Sequence, residues 1–245
     1  MKNNFAVWLS MAFVAAAAWA GSGDPWKDKD YTQWTMEDVQ KILDDSPWVH
    51  IANVDAAWIK GQPQYLSPLP ETCTGRPEMN KAMRTPPQWN LGTMAESVVA
   101  YQIAWRSART MRAAQFRLAV LCGRAEADQG DEVLEQEPEQ YIITVSSPDM
   151  SPFDGMSDEA LLQNTYLTMK KTKQKVSPEK VVIGHGMDQR TVFRLTFAFP
   201  KKSDSGEPLI APDEKEIEFL VQAGKVAVKT KFQPPKMTAK KGVDL

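Results

Sequence analysis

His185 is one of two histidines in the 245-residue chain, and it lies between Gly184 and Gly186. An imidazole titrates near neutral pH and can therefore act as a general base. Catalysis would also need a nucleophile or an orienting acid beside it, and the sequence does not identify either. The alternative interpretation is a histidine that simply occupies a turn. His185 is thus a candidate catalytic residue on its type and setting alone.

A second stretch has the form of a nucleophile motif. Ser177 and Lys180 fit the S-x-x-K pattern of penicillin-binding proteins and related β-lactamases. The S-x-N and K-T-G elements that accompany this pattern are missing, and the 65 residues after Lys180 are too few for that catalytic domain. We therefore expect Ser177 to cap a helix whose first residue is Pro178.

Composition excludes several other kinds of chemistry. Two cysteines and two histidines are too few for a zinc ribbon, an iron–sulfur cluster or a haem attachment motif. Neither histidine pairs with Cys or Asp at metal-ligand spacing, so we expect no metal and no cofactor. The chain has 29 basic and 31 acidic residues and a net charge of −2, which argues against a nucleic-acid partner.

The first twenty residues have the form of an export signal. Lys2 precedes a run, residues 5–20, in which fifteen of sixteen residues are apolar, and Ala18 and Ala20 place small residues at a cleavage site. An uncleaved membrane anchor is the alternative, but this run is shorter than a bilayer span requires. The pattern predicts a signal peptide over residues 1–20 that is cleaved after Ala20. The mature protein would then be periplasmic or secreted, with no membrane-spanning segment.

Export changes the interpretation of the two cysteines. Cys73 lies in a proline-rich stretch, and Cys122 lies near the end of a helical pattern. In an oxidising compartment two such thiols form one structural disulfide. Two buried free thiols are the alternative that the sequence leaves open.

Tryptophans and arginines supply the candidate binding residues. Trp26, Trp58 and Trp89 fall in predicted loops, where exposed aromatic rings could contact a glycan or a protein. Arg109 and Arg117 belong to an arginine stripe on the predicted helix over residues 107–122, and they could contact an acidic partner or an anionic surface. The alternative is that the acidic stretch 125–140 neutralises the stripe internally. We expect the other members of the stripe to be Arg106 and Arg124.

Local patterns also predict the fold. Thr35 and Asp38 form a capping box at the start of a helix, and a second helix follows Ser157. Alternating apolar residues predict strands over 193–199 and 217–232, the latter a hairpin that turns at Gly224. Two or three helices against a mostly antiparallel sheet make an α+β protein.

The predicted organisation has four parts. They are a signal peptide (1–20), a tryptophan-rich helical segment (21–60), a proline-rich loop (61–94), and an α+β domain (95–245) that is continuous with segment 21–60.

Two stretches carry a resemblance. The pattern from Trp34 through Val39, Ile42 and Leu43 to Ser46-Pro47-Trp48, and the C-terminal stretch 231–245, resemble a group of exported bacterial proteins to which no activity is assigned. The resemblance implies export and a similar fold, and it transfers no functional residue.

The sequence therefore favours an exported, non-catalytic protein with a binding or structural role in the bacterial cell envelope, where its partner would be a protein or a glycan. An envelope hydrolase with dispersed site residues around His185 is the first alternative. A carbohydrate-binding module, which would need Trp58 or Trp89 on one flat surface, is the second.

Overall fold

The structure is a computed structural model that describes residues 23–60, 65–66, 71, 73, 97–186, 188–203 and 205–245. The predicted signal peptide, Trp89 and most of the proline-rich stretch 61–94 lie outside these residues.

The helices are short, and the helix that follows Thr35 has a local reason to start where it does. Thr35 and Asp38 form the predicted capping box: the Thr35 hydroxyl accepts from the Asp38 amide at 3.2 Å, and the Asp38 carboxylate accepts from the Thr35 amide at 3.0 Å. None of the described helices is long and apolar enough to cross a bilayer. The helices are α1 (Pro25–Asp28), α2 (Met36–Asp44), α3 (Arg109–Leu121), α4 (Gly130–Glu135) and α5 (Asp158–Gln163).

The strands form two main sheets and a small hairpin. The larger sheet has the order β1-β3-β4-β8-β7, with β2 added in parallel to β3. The smaller sheet has the order β10-β9-β5-β6, and β11 pairs with β12. All these pairings except β2–β3 are antiparallel. The strands are β1 (Val49–Asp55), β2 (Tyr65–Leu66), β3 (Val98–Trp105), β4 (Gln140–Ser146), β5 (Thr165–Met169), β6 (Lys175–Val176), β7 (Lys180–His185), β8 (Val192–Pro200), β9 (Ile217–Ala223), β10 (Val226–Phe232), β11 (Thr238–Ala239) and β12 (Gly242–Val243).

Aromatic rings from both sheets form the centre of the core. Phe197 on β8 meets Phe219 on β9 at 6.0 Å between ring centroids, and Trp105 on β3 meets Phe232 on β10 at 5.1 Å. These four side chains are fully buried. Every residue of β3 is buried, so both faces of this strand are covered. The α+β prediction is confirmed.

Three local predictions are wrong. Ser177 does not cap a helix, because the chain there passes from β6 into β7, and the residue before a proline favours an extended conformation. The predicted helix after Ser157 forms, but its apolar spacing also predicts Tyr166 and Met169 within it, whereas the helix stops at Gln163 and both residues belong to β5. Phe193 is 49% exposed, because a β-bulge opposite Gly184 and His185 shifts the alternation of β8 at its start.

Candidate functional site

A polar cleft of about 470 Å³ lies at the N-terminal end of α3. It forms where α3, α4, the end of β8 and the C-terminal tail meet. The residues that line it are Ser107, Arg109, Arg112, Asp131, Leu134, Glu135, Glu137, Pro138, Lys201, Lys241, Val243, Asp244 and Leu245.

Asp244 fixes the relation between the tail and α3. Its two carboxylate oxygens accept hydrogen bonds from the backbone amides of Arg109 at 2.6 Å and Thr110 at 2.8 Å. Ala108, the residue before the helix, provides no side-chain cap. A carboxylate is well suited to this position, since the first amides of a helix are unpaired and carry partial positive charge. The distant tail therefore caps α3.

The arginines of α3 hold α4 beside the cleft. Arg109 donates from Nη1 to the Leu134 carbonyl at 2.6 Å, and Arg112 donates from Nη2 to the Val133 carbonyl. Arg117, a turn further along, donates from Nε to the Trp34 carbonyl at 2.9 Å. The arginine stripe therefore contacts the acidic stretch 125–140 by hydrogen bonds to backbone carbonyls and, among the described residues, not by ion pairs with its carboxylates. Arg109 and Arg117, the two predicted binding arginines, are both engaged within the fold.

Arg106 does not belong to an exposed stripe. It lies between β3 and α3, and its side chain is only 7% exposed. Helix α3 begins at Arg109, so the helical angles assigned to Arg106 from sequence do not apply to it. Arg124, the last predicted member of the stripe, follows the helix and is exposed.

Charges of both signs line the cleft. Its four cationic side chains face four carboxylates, and no ion pair joins the two sets within the described part of the chain. Lys201 lies over the ring of Tyr141, at 5.4 Å from its centroid. The buried hydroxyl of Ser107 has no hydrogen-bond partner among the described residues. Among the charged side chains that line the cleft, Glu135, Glu137 and Lys241 have no hydrogen bond or ion pair with another described residue, so they are the groups available to a ligand.

Tyr31 supports the α4 side of the cleft. Its hydroxyl donates to Asp131 at 3.0 Å, and burial raises the pKa of this phenol, with the neighbouring carboxylate acting in the same direction. The Asp131 carboxylate is therefore held by a neutral donor at the rim of the cleft.

The structure describes two of the three tryptophans predicted to form a binding surface, and it buries one of them, Trp26. Trp26 is not a loop residue, because it lies in α1, is 4% exposed, and packs edge-on against Trp48 at 5.6 Å. Trp58 is half-buried, and its Nε1 donates to Asp149 at 2.9 Å. Trp89 lies outside the described residues. Trp34, Trp48 and Trp105 are buried.

His185 lies at the end of β7, at the bulge opposite Val192, and it is exposed. Within the described ranges its side chain has no hydrogen bond or ion pair, and it does not line the cleft. No described carboxylate, hydroxyl or thiol is hydrogen-bonded to it, so the contacts expected of a general base are not formed there. His50, by contrast, lies in β1 against Phe232, with 5.0 Å between their ring centroids.

Cys73 and Cys122 form a disulfide with a Cα–Cα distance of 5.1 Å. This confirms the predicted pairing over the alternative of two free thiols. The bond ties Cys73 to the residue that follows the last residue of α3.

Where the structure describes the chain, His, Cys, Asp and Glu side chains form no group of three suited to holding a metal ion. No known protein family, curated protein or solved structure matches the chain.

Sequence reasoning missed the cleft. Lys201, Lys241 and Asp244 lie far from α3 along the chain, and no local pattern indicates that they approach its first turn. Of the two arginines predicted to bind a partner, Arg109 does line the cleft, but the sequence did not predict the residues on the opposite wall.

Proposed function

We propose that this protein is an exported, non-catalytic binding protein of the bacterial cell envelope, and that the cleft at the start of α3 binds its ligand. The observation that carries the proposal is that a cation, Lys241, and two carboxylates, Glu135 and Glu137, line one cleft without a hydrogen bond or ion pair to another described residue. A ligand with both charges, such as an amino acid or a short peptide, can satisfy both sets at once.

Two further features support the cell-envelope setting. The apolar run and the small residues at Ala18 and Ala20 favour export. The disulfide between Cys73 and Cys122 is the kind of bond that persists in oxidising compartments.

A binding role also fits the rigidity of the cleft walls. Asp244 fixes the tail, and Arg109 and Arg112 fix α4, so the charged groups are held before a ligand arrives. A site that is already organised spends less binding energy on ordering its own residues. The exposed and isolated His185 gives a hydrolytic function no support.

The proposed export is tested by isolating the protein from the organism that produces it naturally. We expect periplasmic or secreted fractions to contain the chain, and mass spectrometry of its N-terminus to find Gly21 as the first residue. Recovery from the cytosol of a chain that still begins at Met1 would contradict export.

The binding site is tested with a panel of dipeptides by isothermal titration calorimetry. Each dipeptide is compared with its N-acetylated form, which keeps the negative charge, and its amidated form, which keeps the positive charge. We expect the zwitterionic forms to bind, and each blocked form to bind about tenfold or more weakly.

Matched variants locate the binding. Lys241→Gln and Glu137→Gln each remove one cleft charge that has no hydrogen bond or ion pair with another described residue, so both should weaken dipeptide binding with the fold intact. Lys225→Gln, in the β9–β10 turn, is the control and should bind like the wild type. A panel without binders, or binding that neither cleft variant weakens, would refute the proposal.

A further inference from the structure

Arg106 is a buried cation that depends on a partner from a distant part of the chain. Its Nη2 donates to Oε1 of Glu71 at 2.7 Å, and its Nε donates to the Thr144 hydroxyl at 3.1 Å. Burial lowers the pKa of Arg106, and attraction to Glu71 opposes that effect. A guanidinium removed from water requires a compensating charge, so the Glu71 carboxylate is an energetically important contact.

Glu71 lies two residues before Cys73, whose disulfide reaches Cys122 at the end of α3. A second guanidinium, that of Arg194, lies 3.9 Å from the same Glu71 oxygen. Two cations therefore converge on one carboxylate, and a covalent bond anchors the chain immediately beside it.

The disulfide gives Glu71 a second covalent attachment close to it. Glu71 lies five residues after Leu66, the last residue of β2, and two residues before Cys73. Without the disulfide, the nearby attachment is through β2 alone; with it, Glu71 is held from both sides along the chain. A short tether raises the effective concentration of a group at its binding site, whereas a long loop must lose more conformational entropy to bring the group there.

We propose that the Cys73–Cys122 disulfide holds the Glu71 carboxylate against buried Arg106, so that oxidation of the two thiols and formation of this ion pair are energetically coupled. The chain then reaches full stability only when it is oxidised. This inference goes beyond the proposed function, and only its cellular setting depends on export.

The redox step is an ordinary thiol–disulfide exchange. The Cys73 and Cys122 thiols release two protons and two electrons as their sulfur–sulfur bond forms, and an oxidant that is itself a disulfide takes them up as its own bond breaks to give two thiols. In the test below the oxidant is oxidised glutathione.

The first test compares urea unfolding of the oxidised and the reduced full-length protein in three backgrounds. In the wild type, reduction of the disulfide removes two stabilising effects: the closure of the loop between Cys73 and Cys122, and the attachment that holds Glu71 near Arg106. In Arg106→Met no buried guanidinium needs compensation, so we expect reduction to change the unfolding equilibrium constant by about threefold less than in the wild type. Glu218→Gln, which removes the exposed ion pair with Lys229, is the control and should keep the full wild-type effect. Equal effects of reduction in wild type and Arg106→Met would overturn the proposal.

The second test measures the disulfide itself, and it remains informative if Arg106→Met fails to fold. Coupling between two events is reciprocal, so the ion pair must favour the disulfide by the same factor by which the disulfide favours the ion pair. In a glutathione redox buffer, we expect Glu71→Gln to shift the disulfide equilibrium about threefold towards the reduced form, and Glu218→Gln to leave it unchanged. An unchanged equilibrium in Glu71→Gln would show that the disulfide acts by loop closure alone, and would refute the coupling.

Discussion

The imidazole of His50 loses much of its contact with water when the chain folds. It is partly buried in β1, its ring contacts Phe232, and its Nε2 has no hydrogen-bond partner among the described residues. Burial lowers the pKa of His50 below its usual value of 6.5, and the nearby charge of Lys236 adds to this effect. The folded protein therefore favours the neutral imidazole.

This shift predicts a stability that depends on pH. The unfolded chain binds a proton at His50 more readily than the folded chain, so the contribution of His50 is complete above pH 6.5 and is lost as the pH falls through 6.5 towards the lower folded-state pKa. We expect the melting temperature of the wild type to fall between pH 7.5 and pH 5.5 by several degrees more than that of His50→Gln. Differential scanning calorimetry measures both.

The same substitution at the other histidine is the control. His185 is exposed, and His185→Gln should keep the wild-type difference between the two pH values. An identical pH response of His50→Gln and the wild type would contradict the assignment to His50.

The sequence did not predict which groups the side chains of Arg106 and Arg109 contact. The spacing of Arg106 and Arg109 suggested one exposed stripe, but the first is buried against Glu71 and the second is bonded to the Leu134 carbonyl. Helical angles locate a residue relative to its own helix axis, and they contain no information about which other segment approaches that side.

At the level of elements, α3 shows how a helix can depend on a distant segment. Asp244 takes the place of a local N-cap. We expect Asp244→Ala to lower the free energy of unfolding by about 1–2 kcal/mol, because two helix amides lose their acceptor. Urea denaturation followed by circular dichroism measures the change.

Asp244→Asn is the matched variant, since its amide oxygen still accepts one hydrogen bond but carries no charge to interact with the helix dipole. It should fall between the wild type and Asp244→Ala. If all three proteins unfold at the same urea concentration, Asp244 is not a cap in solution.

Elements with strong local patterns were predicted well. The capping box at Thr35, the strands around Phe197 and Phe219, and the hairpin at Gly224 all form, because their apolar period or turn chemistry lies within a few residues. Gly224 has a φ of 58°, a conformation that glycine adopts without strain. The start of β8 was misjudged at Phe193, since a bulge is a property of two paired strands.

At the scale of the whole molecule, Trp48 connects the N-terminal and C-terminal parts of the fold. It is fully buried, and its Nε1 donates to the Asp244 carbonyl at 2.6 Å across 196 residues of sequence. We expect Trp48→Phe to lower the free energy of unfolding by about 1–3 kcal/mol, because the smaller ring leaves a cavity at a fully buried position and the Asp244 carbonyl loses its donor. Urea denaturation monitored by near-ultraviolet circular dichroism measures this loss.

Trp58→Phe is the comparison. It also removes one indole hydrogen bond, to Asp149, but at a half-buried position where water can replace it, so the loss should be smaller. An equal or larger loss for Trp58→Phe would contradict the role assigned to Trp48.

The sequence by itself determined the elements that depend on neighbouring residues, and through them the α+β class. It also favoured one pairing of its two cysteines, since two thiols can form only one internal bond. Tertiary structure alone decided which charges are buried and which meet in the cleft. Glu71, which binds the buried Arg106, lies 35 residues from it along the chain, and Asp244 lies 135 residues from the first residue of α3. A local sequence pattern does not predict such long-range contacts, because they arise when the whole chain packs around one core.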